Sequence, residues 1–155
     1  MLIDRKTLLF FDSSCLIAAA GSPTGGSGFL LLLCANDYLK AVVSQPVLLE
    51  AQRNIQSKLG SREMIRFYKL LAMLPFSLAP LPGEDELAKL EKFINKKDIH
   101  IAGAALEVRA PFLLTLDRGL VLEMSKTSLS VQALTPGDFI KKILPQHIDY
   151  PTTRE

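Results

Sequence analysis

LLFFDSS, residues 8–14, is the stretch on which the fold turns. Leu8 to Phe11 form a short continuous apolar run, and the run stops on a carboxylate, Asp12, followed by Ser13 and Ser14. Short apolar runs bounded by turn-forming residues mark strands buried on both faces, as in parallel sheets. A buried strand that ends on an acid raises the question of where that carboxylate points.

The same pattern recurs downstream. KAVVS (40–44) and FLLTL (112–116) are strands by the same signature, and FLLTL also runs into an acid, Asp117. After Ser13 come a helical segment, a glycine-rich turn SPTGGSG (22–28) and the run FLLLLCAND (29–37). Leucine and alanine favour helix, and nothing in that run is β-branched, so it is predicted helical. Pro46 suits the first turn of a helix through VLLEAQRNIQSKL, with Leu48, Ile55 and Leu59 on one stripe and Gly60 at its end. SREMIRFYKLLAML (61–74) is an amphipathic helix with Ser61 as N-cap and Pro75 just past its end. FSLAPLPGEDE (76–86) holds a weak strand and a loop. Helices follow over 86–97 and 98–109, the second with Asp98 as N-cap, then another over 118–126. SVQAL (130–134) is a last strand, and PGDFIKKIL (136–144) a closing helix.

Strands alternating with helices call for right-handed crossovers. The predicted fold is a three-layer α/β/α arrangement around a mainly parallel sheet of four or five strands. It occupies residues 1–145, and residues 146–155 form a loose tail.

Composition agrees with one folded domain. The chain has 155 residues, 48% of them hydrophobic and 22% charged, outside the disordered regime. A net charge of +2 excludes a broad basic surface but leaves room for a local basic rim. Cys15 and Cys34 lie in apolar surroundings with no partner at metal-ligand spacing, as buried thiols of a reducing cytosol. The start, MLIDRKTLLFF, lacks the pattern of a secretion signal. The apolar run Phe29 to Ala35 falls well short of the roughly 20 residues that span a bilayer. A soluble, cytoplasmic chain that does not enter a membrane is expected.

Ligands in such folds bind beyond the carboxyl ends of the strands. Asp12 and Asp117 end strands there, and Glu50 lies early in the helix that follows the second strand, so the three converge on one edge. Asp98 follows a turn between helices, and strand–helix geometry does not place it. Carboxylates gathered in one pocket repel one another unless a cation sits between them. All-oxygen ligands without histidine or cysteine suit Mg²⁺ or Mn²⁺ rather than zinc. The chemistry that such a site implies is phosphodiester hydrolysis.

FFDSSCLIAA (10–19), SQPVLLE (44–50), KKDIHIAGAALE (96–107), TLDRGL (115–120) and TPGDFI (135–140) together resemble the PIN domain family of metal-dependent nucleases, which includes many toxins of toxin–antitoxin pairs. The resemblance implies that Asp12, Glu50, Asp98 and Asp117 hold Mg²⁺ or Mn²⁺, and that Ser14 and Thr115 are supporting hydroxyls. It implies an endoribonuclease acting on single-stranded or structured RNA, an antitoxin protein as partner, and homodimerisation. The sequence departs from the family at Gly119, where many relatives carry another acid, and at Ser13-Ser14, where Thr-Asn is commoner. Those departures motivate an alternative, a catalytically weak module of the same fold that binds RNA or protein.

Each acid also has a plainer account. Asp12 can be a turn former, Asp98 an N-cap, Glu50 a solvent-facing glutamate, and Asp117 a helix cap or a partner of Arg118. His100 does not share a helical face with Asp98 and is read as structural. SPTGGSG lacks the ending of a phosphate-binding loop and is read as a flexible loop near the site. The cations of residues 52–69 form a solvated helical face, with an RNA-contacting rim as the minority reading.

Overall fold

The computed structural model describes residues 2–151. Five strands form one parallel sheet in the order β3-β2-β1-β4-β5: β1 (Leu8–Phe11), β2 (Lys40–Val43), β3 (Ser77–Leu78), β4 (Phe112–Leu114) and β5 (Gln132–Leu134). Helices cover both faces, giving the predicted three-layer α/β/α fold. The first half of the chain contributes α1 (Ser13–Gly21), α2 (Gly26–Ala35), α3 (Gln45–Lys58) and α4 (Ser61–Met73). The second half contributes α5 (Glu84–Leu90), α6 (Ile99–Glu107), α7 (Arg118–Ser125) and α8 (Pro136–Asp138), which opens into a wider helical turn over Phe139–Ile143.

The opening stretch folds as its composition demands. Leu9, Phe10 and Phe11 are fully buried, flanked by β2 and β4 in register Leu9↔Ala41 and Leu9↔Phe112. With both ladders filled and helices on both faces, an apolar side chain is needed at every position of β1.

Several local expectations shift. On α3 the buried stripe is Val47, Ala51 and Ile55, not Leu48, Ile55 and Leu59. Leu59 falls past the end of the helix and is 37% exposed. Gly60, not Ser61, precedes the first residue of α4. The helix expected over 86–97 stops at Leu90, and a 3₁₀ turn over Lys96–Asp98 runs directly into α6. The glycine-rich turn contributes no residue to the cleft at the strand ends. Gly28 is needed there because a Cβ would stand 2.1 Å from the Pro23 carbonyl oxygen.

The segment expected to be loose from residue 146 is held as far as Tyr150. Ile3 pairs with His147, Ile148 N–H donates to the Ile3 carbonyl at 3.0 Å, and Arg5 meets Asp149 at 2.9 Å. Residues 152–155 of that expected tail lie outside the described residues. Among the described residues no single helix is long and apolar enough to cross a membrane. Cys15 and Cys34 are free and buried, and burial pushes both thiols up to about 12.

Candidate active site

β1 and β4 are neighbours, yet they come from opposite ends of the chain order. From β1 the sheet grows through β2 to β3 on one side, then restarts with β4 on the other. Such a reversal sends the crossovers to opposite faces and opens a crevice at the carboxyl ends of the two strands. A cleft of about 250 Å³ lies there, lined by Asp12, Ser14, Glu50, Asp98 and Asp117 with Asn54 and Lys97. The cleft has room for several waters at roughly 30 Å³ each, or for a phosphate group and an ion.

Asp12 is 6% exposed and its carboxylate is firmly held. Oδ1 accepts the Ser13 N–H at 2.7 Å, and Oδ2 accepts the Thr115 hydroxyl at 2.7 Å and the Ser14 hydroxyl at 3.0 Å. Each hydroxyl oxygen also accepts from the β4 side: Ser14 Oγ from Leu116 N–H and Thr115 Oγ1 from Asp117 N–H, both at 3.0 Å. The ends of β1 and β4 are thus stitched together through one carboxylate, which answers the question raised by LLFFDSS.

Asp117 begins α7 and caps it. Its Oδ1 accepts Gly119 N–H at 2.9 Å and Leu120 N–H at 3.2 Å, while Oδ2 faces Lys97 Nζ at 3.4 Å. The cation beside it is Lys97, not Arg118. Burial pushes this carboxyl up, but the Leu120 N–H, Lys97 and the Gly119 N–H outweigh it and hold Asp117 below the usual carboxylate range.

Asp98 does not cap α6. Asn95 caps the preceding 3₁₀ turn instead, accepting Lys97 N–H at 3.2 Å, so Asp98 already has near-helical backbone and makes no capping bond. Its side chain lines the cleft, the residue is 7% exposed, and Oδ2 is buried without a hydrogen-bond partner. Burial pushes its carboxyl up, Lys97 draws it down, and Asp117, Asp12 and Glu123 push it further up, with a net rise.

Glu50 is exposed on α3, on the side away from the buried stripe, and still lines the cleft. Asn54, one turn on, lines it too and donates to the Glu50 carbonyl at 2.9 Å. Sequence reasoning passed over Asn54, Lys97 and Glu123. Glu123 accepts the Asn95 N–H at 2.6 Å and so ties the loop that carries Asp98 to α7. The i, i+4 spacing of Glu50 and Asn54 and the adjacency of Lys97 to Asp98 are the sequence signals for two of them. His100 does not line the cleft.

No family model and no curated protein matches this chain by sequence. Solved structures do match its backbone. The crystal structure of VapBC2 from Rickettsia felis, bound to a DNA fragment from their promoter, superposes with a TM-score of 0.63 at 17% identity, over 83% of this chain and 98% of that one. The DNA-bound VapBC from Salmonella typhimurium gives 0.62 at 14% identity, over 84% and 98%. VapC toxins are PIN-domain proteins. This chain has the PIN-domain fold. A Pyrobaculum aerophilum protein gives 0.61 at 19% identity, over 88% of this chain and 94% of that one.

The PIN fold brings together all four acids singled out from the sequence. The donors they present are carboxylate oxygens, and one of these, Asp98 Oδ2, is unpartnered. That chemistry fits a hard divalent ion better than zinc. As the side chains stand, no three acids, histidines or cysteines among the described residues are close enough to hold an ion, and Lys97 is the cation between Asp98 and Asp117.

Proposed function

We propose that this chain is a Mg²⁺- or Mn²⁺-dependent endoribonuclease and the toxin of a toxin–antitoxin pair. The observation that carries the reading is the unpartnered Asp98 Oδ2, buried in a cleft it shares with Asp12, Glu50 and Asp117. A buried carboxylate oxygen without a donor is costly, and a cation from solution removes the cost. Asp12, Glu50, Asp98 and Asp117 would hold the ion. When bound, a divalent ion offsets the charge that develops on a phosphodiester and lowers the pKa of water.

The chain's own residues supply position. Ser14 and Thr115 fix the plane of the Asp12 carboxylate by occupying both acceptor sites of Oδ2, so an ion would meet Oδ1 or displace one of these hydroxyls. The Leu120 and Gly119 N–H groups, with Lys97, favour the charged form of Asp117 against its burial. The cleft admits an unstacked strand more readily than a stiff duplex, which favours single-stranded or looped RNA as substrate. The test is RNA cleavage with Mn²⁺ by wild type and Asp12→Asn. The variant is expected to lose at least about a hundredfold, since even residues that only orient ligands cost 10- to 100-fold. Equal turnover by the two proteins would remove Asp12 from the mechanism.

An antitoxin partner has a surface to meet. A groove between α2 and α4, lined by Leu31, Leu32, Ala35, Leu70 and Met73, leaves Leu32 56% and Met73 74% exposed. Among the neighbours in fold are VapBC structures. Expression of the chain alone is expected to arrest growth, and co-expression of the antitoxin to restore it.

The second reading, a binding module with weak chemistry, has its own support at position 119. A Cβ there would lie 3.1 Å from Asp117 Oδ1, so the glycine leaves the α7 cap uncrowded and supplies no further acid. Mn²⁺ binding by calorimetry without RNA turnover would select this reading.

A further inference from the structure

We infer that Lys97 is a built-in counter-ion of the acidic cleft, which an incoming divalent ion must displace from Asp117. The inference rests on the proposal that the cleft takes such an ion. Three observations carry it. Lys97 lines the cleft with the acids and is the cation among them. Its Nζ stands 3.4 Å from Asp117 Oδ2. The other Asp117 oxygen is already engaged by the Gly119 and Leu120 N–H groups.

Asp117 therefore has one oxygen uncommitted to the main chain, and that oxygen faces Lys97. An ion shared between Asp98 and Asp117 competes for the same atom. The lysine also sits next to Asp98 in the chain, so one turn of backbone delivers both the unpartnered acid and the cation that screens it.

The contact is built to break. The Lys97 side chain is 66% exposed, and its flexible stem allows the ammonium to swing into water. Exposed pairs of this kind are weak and screened by salt. A weak internal counter-ion relieves repulsion in the empty cleft without closing it to a divalent ion.

The test is calorimetric titration of Mn²⁺ into the full chain, as wild type, Lys97→Gln, Lys97→Arg and Lys96→Gln. Lys97→Gln is expected to bind Mn²⁺ about two- to fivefold more tightly than wild type at low salt, the range an exposed ion pair can supply. Added KCl is expected to shrink that difference. Lys97→Arg, which keeps the charge, is expected to bind no more tightly than wild type. Lys96 adjoins Lys97 but does not line the cleft, so Lys96→Gln is expected to fall near wild type. Unchanged or weaker binding by Lys97→Gln overturns the inference, and so does an equal gain from Lys96→Gln. Absence of Mn²⁺ binding in wild type as well as in every variant overturns the divalent-ion reading beneath it.

Discussion

At the scale of residues, a carboxylate that follows a buried strand is set at the carboxyl edge of the sheet whether or not it also caps a helix, and this made the placement of Asp12 and Asp117 legible. Asp98 was not, because its local sequence is satisfied by capping; only the 3₁₀ turn that hands the cap to Asn95 frees it for the cleft. Its raised pKa fixes a sign. The folded-state value lies above the unfolded one, so above both the ionised carboxylate destabilises the metal-free fold in full. As pH falls through the folded value, the folded state takes up its proton first and the penalty fades. Asp98→Asn should therefore raise the melting midpoint of metal-free protein at neutral pH by about 2–4 °C, the equivalent of roughly 1 kcal/mol at this size. The gain should vanish as the pH drops towards the ordinary carboxyl range. With Mn²⁺ present the order should reverse, because wild type alone gains the full binding stabilisation. Thr115 supplies a second test. It is fully buried and joins Asp12 to the Asp117 N–H, so Thr115→Val leaves that N–H without its acceptor and Asp12 Oδ2 with the Ser14 hydroxyl alone, and should cost about 1–3 kcal/mol in chemical denaturation. An unchanged denaturation midpoint would mean that the hydroxyl does not hold Asp12.

At the scale of elements, the strands were the most readable part because β1, β2 and β4 are buried runs with clear breaks. Helix ends were less so, since the usual marker of a helix stop is absent at two of them. α2 and α6 both close with paired bonds, Tyr38 N–H to Leu33 and Asp37 N–H to Cys34 in one, Ala110 N–H to Ala105 and Arg109 N–H to Leu106 in the other. This is the Schellman closure, which favours glycine at its left-handed position. Here Asp37 (φ 65°) and Arg109 (φ 57°) occupy that position. Each closure turns the chain towards the next strand, β2 or β4, so the geometry is fixed by the sheet even though the residue resists it. Arg109→Gly should therefore stabilise the protein by about 0.5–1 kcal/mol, the left-handed strain relieved less the added freedom of glycine when unfolded. A lower denaturation midpoint in the variant would show that the arginine side chain contributes more than its backbone costs.

At the scale of the whole molecule, alternation of strands and helices specified layers and parallel pairing but not strand order, because any right-handed path satisfies the local pattern. The observed order puts the reversal between β1 and β4, and the cleft follows from that alone. The closure at the opposite edge was invisible in the sequence for a related reason: PQHIDY has the composition of a frayed end, and its partner, Ile3, lies at the far end of the chain. His147 is the centre of this closure. It is 6% exposed, its Nε2 stands 2.7 Å from the Tyr38 carbonyl oxygen, and its Nδ1 accepts the Asp149 N–H at 3.0 Å. A carbonyl can only accept, so the ring carries its proton on Nε2 and both nitrogens are used. His147→Ala leaves a carbonyl and an N–H without partners and should cost about 2 kcal/mol, lowering the melting midpoint by roughly 4–8 °C. Ile3 precedes β1 and the acids follow it, so the loss falls at the edge of the sheet remote from the cleft. Mn²⁺ affinity measured well below the melting transition should therefore match wild type. A His147→Ala protein that melts earlier and also binds Mn²⁺ more weakly would show that the two edges of the sheet are coupled, and that the cleft depends on more than the strand ends that form it.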